Sequence, residues 1–275
     1  MKENIQSKPD IFGLRKFDFS KRVPEKFEMF PPDEAKTYID GCDYLESVDD
    51  LLLALETKQR FSHIGLDNMT IMDAMCGPGR LGRELLNLGA QNVIFHDGDK
   101  TMIEHAENQA AGIRKPEQRI GSIRSLVDHI SLPDNTFDLV VCHNSTHQLK
   151  SPKKLHTVMQ EFLRLTKPGG FVMIADYQRN TTPKFLEALE ERLKETKPEI
   201  VPLLIPTFMA AFSKEEWQRV LDSMPGISSS LVVDATFPKD LTSEEWEMVK
   251  KDPVKGHIMD FSPISLRVIA QKEGI

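Results

Sequence analysis

Short apolar runs rich in β-branched residues alternate with longer amphipathic stretches through most of the chain. Runs at 71–74, 93–96, 120–126, 137–142 and 171–176 have the length and composition of buried strands. The segments between them carry helical periodicity. In the clearest, Leu155, Val158, Met159, Phe162 and Leu163 fall at i, i+3, i+4, i+7 and i+8 behind Ser151-Pro152, a pair suited to an N-cap and first helical position. That stripe reads as core. Strands alternating with helices predict βαβ units and a parallel sheet.

After Asp176 the pattern becomes helix, loop, helix, strand, helix, strand, with strands near 231–235 and 264–270. Ser213-Lys-Glu-Glu216 and Thr242-Ser-Glu-Glu245 have capping-box spacing, and each opens a helix that carries a tryptophan. The stretches 197–212, with three prolines, and 237–262 are longer than ordinary connections and read as substrate-side insertions. Residues 1–60 precede the sheet and hold Phe27-Glu-Met-Phe-Pro-Pro32, then two predicted helices, the second opened by Ser47-Val-Asp-Asp50. They are expected to form a helical cap or lid over an α/β domain of residues 61–275, the plain alternative being an oligomer-contact arm. Tyr38 and Tyr44 of that cap are candidate substrate contacts.

The first predicted strand carries the most informative chemistry. Thr70-Ile-Met-Asp-Ala-Met-Cys-Gly-Pro-Gly-Arg-Leu-Gly82 is a short strand closed by Asp73, then a glycine turn, then a helix start. Gly77 and Gly79 let the backbone turn tightly and let a ligand approach the first helical turn. The spacing matches the G-x-G-x-x-G fingerprint of dinucleotide binders, with Asp97 where a ribose-binding acid would stand. A carboxylate at Asp73 would, however, repel a pyrophosphate on that helix. S-adenosylmethionine instead brings a sulfonium and an ammonium, which an acid there would attract.

Further motifs follow in order over about 70–176, and with them the chain resembles the class I S-adenosylmethionine-dependent methyltransferases, in their small-molecule branch. The acid-ended strand and turn are similar to the family's first motif. Val93-Ile-Phe-His-Asp97-Gly-Asp-Lys-Thr-Met102 resembles its second. Leu132-Pro-Asp-Asn-Thr-Phe137-Asp138-Leu-Val-Val-Cys-His143, followed by Thr146-His147-Gln148-Leu149, resembles the strand-four signature. Arg164-Leu-Thr-Lys167-Pro168-Gly169-Gly170 resembles the lead-in to strand five. The resemblance implies a three-layer, doubly wound α/β fold whose seven-stranded, mostly parallel sheet inserts its last strand antiparallel between the fifth and sixth. It also implies a cofactor set. Asp73, Met75, Cys76, Gly77 and Gly79 form the turn, Asp97 and Gly98 meet the ribose, and Met102, Leu126, Val127 and His143 line the remainder. Met75 stands where the family usually has glycine, which narrows the turn. Leu126, with Asp128 nearby, stands where many members carry an adenine-binding acid.

His143 and His147 follow strand four, and Asp176 and Tyr177 end strand five, at the edge where the methyl group would emerge. They are the catalytic candidates, with His147 first, because a histidine near pKa 6.5 can take a proton from an acceptor hydroxyl or amine. Against these stand plain alternatives: pocket lining for His143, a loop cap for His147, solvated strand ends for the other two. The plain alternative for Asp97 is a helix N-cap, a role that Asp99 can fill, which favours the ribose for Asp97.

Composition narrows the partners. The 275 residues, 40% of them hydrophobic, suffice for one large α/β domain, and the formal charge of −7 disfavours a broad phosphate-binding surface. Cys42, Cys76 and Cys142 lack metal or disulfide spacing and are expected to be free thiols. With no apolar run long enough to span a bilayer and no signal-peptide core, a cytoplasmic protein is expected. The expected activity is methyl transfer from S-adenosylmethionine to a small molecule, without a metal. Methylation of a nucleic-acid base or protein side chain is the alternative, as is a partner or sensor that binds the cofactor without transferring the methyl. The acidic charge and the sequence His143-Asn-Ser-Thr-His147, in place of an Asn/Asp-Pro-Pro-aromatic motif, weigh against nucleic acid.

Overall fold

In the computed structural model, residues 11–25, 35, 38–39, 47–195, 201–235, 238–251 and 263–274 are described. The aromatic-proline stretch at 27–32, Cys42, Tyr44 and most of the end of the 237–262 insertion fall outside them. Seven strands form one sheet: β1 (Thr70–Ala74), β2 (Asn92–Asp97), β3 (Arg119–Arg124), β4 (Phe137–His143), β5 (Thr166–Tyr177), β6 (Ile227–Asp234) and β7 (Ser265–Lys272). Their order is β3-β2-β1-β4-β5-β7-β6. The first five are parallel, and β7 runs antiparallel to both neighbours. Strand order therefore reverses between β1 and β4. At such a reversal the flanking loops diverge and leave a crevice at the carboxyl edge.

Alternation along the strands explains the layers. Ile71, Val93, Phe95, Leu139 and Val141 face one side, where α1 (Ser47–Arg60), α2 (Arg80–Asn87) and α3 (Lys100–Ile113) cover them with Leu53, Leu85 and Ala106. Met72, Ala74, Val140 and Ile174 face the other, under α4 (Pro152–Leu165) and α7 (Lys214–Asp222). The predicted α4 stripe, Leu155 to Leu163, is buried there, and Ser151 caps the helix by accepting the Lys154 N–H at 3.2 Å. Helix α1, placed with the N-terminal cap by sequence order, packs on α2 in the sheet's own helical layer.

The region after β5 differs in detail from expectation. The loop expected before the Ser213 helix contains α6 (Val201–Ala210), following α5 (Pro183–Glu195). Pro202 falls in the first turn of α6, where its missing N–H costs nothing, and Pro206 removes a single interior bond. Burial compensates, for Ile205 and Phe208 join Phe185, Leu189 and Tyr177 in an apolar cluster above the carboxyl edge. Strand β6 starts at Ile227, earlier than the 231–235 run, because polar Ser229 and Ser230 pair with β7 at the sheet's rim. Strand β3 ends at Arg124, before Leu126. Both capping boxes form: Ser213 with Glu216 ahead of α7, and Thr242 with Glu245 ahead of α8 (Ser243–Lys251).

Two helical glycines give opposite expectations. A methyl on Gly82 in α2 would overlap the Phe95 ring of β2 and lie 3.0 Å from an Asp73 oxygen, whereas one on Gly112 in α3 meets nothing within 4 Å. Gly82→Ala should lower unfolding free energy by about 1–3 kcal/mol despite its better helix propensity. Gly112→Ala should leave it unchanged or raise it by up to about 1 kcal/mol, both read from denaturant midpoints.

Candidate active site

The turn after β1 sits at the strand-order reversal. Gly77 and Gly79 adopt φ values of 52° and 73°, and Met75, at φ 54°, shares the left-handed conformation that glycine would take there. The turn thus keeps its glycine-type path with a side chain in it, at a cost of about 1–2 kcal/mol. Two polar side chains hold Met75 in place. Its N–H donates to His96 Nδ1 at 3.4 Å, and its carbonyl accepts the Ser145 hydroxyl at 2.9 Å. The His96 ring therefore carries its proton on Nε2, which lies 3.1 Å from the Ser125 carbonyl. Burial lowers its pKa to about 4, so it stays neutral in this role. Sequence reading passed over His96 as an ordinary strand residue.

Two acids close the neighbouring strands. Asp73 is buried and accepts the Gly82 N–H at 2.9 Å. Burial raises its pKa to about 7, and the charges of Asp50 and Asp97 push the same way. Asp97 ends β2 and takes the Gly77 N–H on one oxygen and the Asp99 N–H on the other, each at 2.9 Å. Its pKa is likewise raised by burial. Asp99 caps α3 by accepting the N–H groups of Thr101 and Met102, which leaves Asp97 free of the capping task.

A cleft opens beside this turn, lined by Asp73, Met75, Cys76, Gly77 and Pro78 from the turn and by His143, Asn144 and Ser145 from the exit of β4. Tyr38, Asp50, Arg80 and Leu81 complete it. Asp50 arrives from the first turn of α1. One of its oxygens lies 2.6 Å from His143 Nδ1, and the other accepts Arg80 Nε–H at 3.0 Å. Burial works to raise the Asp50 pKa, but the neighbouring His143 and Arg80 bring it below the ordinary carboxylate value. Asp50 and Arg80 escaped the sequence reading because acids in a helix's first turn have a local explanation, and so does an arginine opening the next helix.

A second histidine–carboxylate pair lies at the ends of β4 and β5. His147, on the 3-10 turn Thr146–Gln148, places Nδ1 2.7 Å from Asp176, which also accepts the Thr146 hydroxyl and the His147 N–H at 3.0 Å. Burial opposes ionisation of Asp176, yet His147 and these donors hold its pKa below the ordinary value. The Tyr177 ring lies 5.9 Å from that of His147 and packs on Phe208 of α6. All four catalytic candidates thus gather at one edge, His143 on the cleft and the other three behind it under α5 and α6. Neither Asp176 nor Tyr177 is a solvated strand end.

An N-terminal strap crosses this side. Leu14 and Phe19 enter the apolar cluster around Tyr177. Arg22 donates to the carbonyls of His147, Leu149, Lys150 and Ala210, with its guanidinium 3.9 Å from the centre of the Phe212 ring. The remaining expected cofactor residues lie away from the cleft lining. Met102 is buried against Ala35, Ile39 and Tyr38, because the N-terminal segment covers the start of α3. Leu126 follows β3 and is 61% exposed, Val127 is half-buried beside it, and Asp128 is engaged by Lys154. The Gly98 carbonyl accepts a bond from Arg124.

Known proteins give this geometry its context. Residues 71–170 match the family model described as a methyltransferase domain. A demethylmenaquinone methyltransferase of Clavibacter sepedonicus is 24% identical over 192 residues, covering 70% of this chain and 74% of that protein. A ubiquinone biosynthesis O-methyltransferase of Vibrio cholerae is 30% identical over 138 residues, 49% of this chain and 53% of that one. In fold the chain is similar to the plantazolicin methyltransferase BpumL, solved with S-adenosylhomocysteine, with a TM-score of 0.65 at 13% identity over 88% of this chain and 91% of that one. The matched methyltransferase domain spans β1, the acid-backed glycine turn and the exit of β4, and lies within a seven-stranded sheet whose fold is that of the similar methyltransferase structure.

Proposed function

We propose that the chain methylates a small molecule, and that the acceptor reaches the methyl group from the side covered by α5, α6 and the strap. One observation carries this reading. The acid-lined cleft at the β1/β4 reversal extends to Ser145, two residues before the buried His147–Asp176 pair, and the aromatic cover over that pair favours a compact acceptor over a duplex or folded protein. The names of the relatives, which concern quinone biosynthesis and plantazolicin, support a small acceptor for this chain as well.

The residues present fit the cofactor. Buried Asp73 and the cleft acid Asp50 suit a ligand with two positive charges, and the glycine turn presents close backbone to it. Asp97 has acceptor capacity beyond its two backbone bonds and is assigned the ribose hydroxyls. When bound, S-adenosylmethionine supplies an electrophilic methyl, so the protein's part is alignment and removal of water. The strap and α6 perform the second task by covering the acceptor side. His147, oriented by Asp176, is assigned the proton that an attacking hydroxyl or amine must lose.

S-adenosylmethionine and S-adenosylhomocysteine should each bind with one site per chain in calorimetry. Asp97→Ala should weaken both by about 1.5–3 kcal/mol, the range for bonds to a charged group, and unchanged affinity in the folded variant would remove Asp97 from the ribose.

Proton linkage at Asp73 gives a second test. Its pKa in the free protein is about 7, so below that pH a bound cation must displace a proton. S-adenosylmethionine affinity should therefore strengthen as pH rises from about 5.5 to 7 and level off above. Asp73→Asn should flatten the profile, and an equally steep profile in that variant would assign the linkage elsewhere.

With an acceptor in hand, His147→Ala should lower kcat by about 10²-fold or more with cofactor affinity little changed. A comparable rate with a hydroxyl or ammonium acceptor would exclude His147 as the proton acceptor.

A further inference from the structure

His143, Asn144 and Ser145, at the exit of β4, all line the cleft, and the side chains of the first and last are engaged with the protein. His143 is held by Asp50, and the Ser145 hydroxyl bonds to the carbonyls of Met75 at 2.9 Å and His143 at 2.7 Å. Asn144 between them is 9% exposed, and among the described residues its side-chain amide makes no hydrogen bond. Its backbone is fixed instead, since the N–H donates to the Ala175 carbonyl of β5 at 2.8 Å and φ is 44°. Asparagine tolerates that left-handed conformation better than most residues, so the turn alone would account for its presence. The turn does not account for a buried amide left without a partner. Such a group, with both donor and acceptor atoms, is costly to leave unbonded, and on a cleft wall a ligand can satisfy it.

The place of Asn144 in the fold indicates which ligand. Ser145 ties the exit of β4 to the cofactor turn through Met75, while the Asn144 N–H is bonded to Ala175, one residue before the Asp176 that holds His147. Asn144 thus stands between the turn assigned to the cofactor and the pair assigned to the acceptor side. The positive end of the cofactor already has Asp73 and Asp50 beside it, and an uncharged amide adds little to them. Resting on the cofactor assignment above, we propose that Asn144 is an acceptor-binding residue whose amide oxygen takes a hydrogen bond from the O–H or N–H of the group to be methylated. That bond turns the group's lone pair toward the methyl carbon. The acceptor class it selects is a neutral hydroxyl or amine, because a carboxylate has no proton to offer the oxygen and would meet the acids of the cleft. The contact aligns the acceptor whichever residue later removes the proton, so it stands apart from the role given to His147.

A cofactor analogue tests this without an acceptor. Sinefungin carries an ammonium group where S-adenosylmethionine carries the methylated sulfonium, so its N–H groups project to the place of the methyl, where S-adenosylhomocysteine has nothing. Calorimetry of the full chain gives Kd for both ligands and hence their ratio. Asn144→Gly suits a φ of 44° and removes only the amide. The variant should bind S-adenosylhomocysteine within about twofold of the parent and lose about tenfold or more in sinefungin affinity, as expected for a lost bond to a charged group. Asn144→Ser, too short to reach the same place, should repeat the loss and serves if the glycine variant does not fold. Asn144→Asp keeps an oxygen and should bind sinefungin, relative to S-adenosylhomocysteine, at least as tightly as the parent. A ratio that stays at the parent value in the glycine or serine variant, whether both affinities hold or both fall, overturns the proposal, as does a ratio in Asn144→Asp that shifts against sinefungin. Failure of the parent protein to bind either ligand would instead overturn the cofactor assignment.

Discussion

The bond from the Gly82 N–H to the Asp73 carboxylate, 2.9 Å long and buried, joins the end of β1 to the first turn of α2. Several features around it follow from packing a strand end, a glycine turn and a helix start against the same few atoms. Residue 82 must lack a side chain, because Phe95 and Asp73 occupy the space a methyl would need. Residue 79 must lack one too, because Ala106 of α3 lies 2.5 Å from where its methyl would sit. The acid is left dehydrated, and its pKa rises to about 7 because one backbone donor does not replace the water it has lost. A site strained in this sense stabilises a cation on arrival, since ligand charge restores what burial removed.

Around this centre the protein places two histidine–carboxylate pairs that differ in the origin of their acid. Asp176 belongs to the sheet, at the end of β5, and holds a histidine one short turn beyond β4. Asp50 belongs to a helix that precedes the sheet in sequence and reaches the cleft only because α1 packs on α2. The first pair is therefore as rigid as the β4–β5 register, and the second depends on helix docking. The rigid pair suits the role proposed for His147, since a proton acceptor must keep its geometry through the reaction.

The sheet was readable from sequence because it is built from short-period signals. The acids closing β1 and β2, the capping boxes and the α4 stripe each act within a few residues and stand where the pattern placed them, as do the apolar runs except at β3 and β6, whose bounds shift. The antiparallel insertion of β7 came from family resemblance, since alternation in a strand does not encode which neighbours it will pair with. Helix α6 was hidden by its prolines, whose local penalty is outweighed by burial of Ile205 and Phe208. The candidate catalytic residues were visible as residue types following two strands, yet their pairing was not. That His147 meets Asp176 requires the parallel register of β4 and β5, and that His143 meets Asp50 requires two residues 93 positions apart to share a cleft.

Met75 shows how such distant contacts change the meaning of a local rule. Glycine is the usual residue where the backbone must turn left-handed, and a methionine there argues from sequence for a different path. The path is kept because His96 from β2 takes the Met75 N–H and Ser145 beyond β4 satisfies its carbonyl. Two polar contacts, each worth about 0.5–1.5 kcal/mol, are enough to offset a penalty of about 1–2 kcal/mol. The Met75 side chain then packs beside the cluster of Met72, Ala74 and Cys142, recovering apolar burial that glycine could not offer. A bulkier residue at the turn is thus tolerated because His96 is kept neutral by burial: a protonated ring would turn Nδ1 into a second donor facing the Met75 N–H, and the turn would lose its bracket.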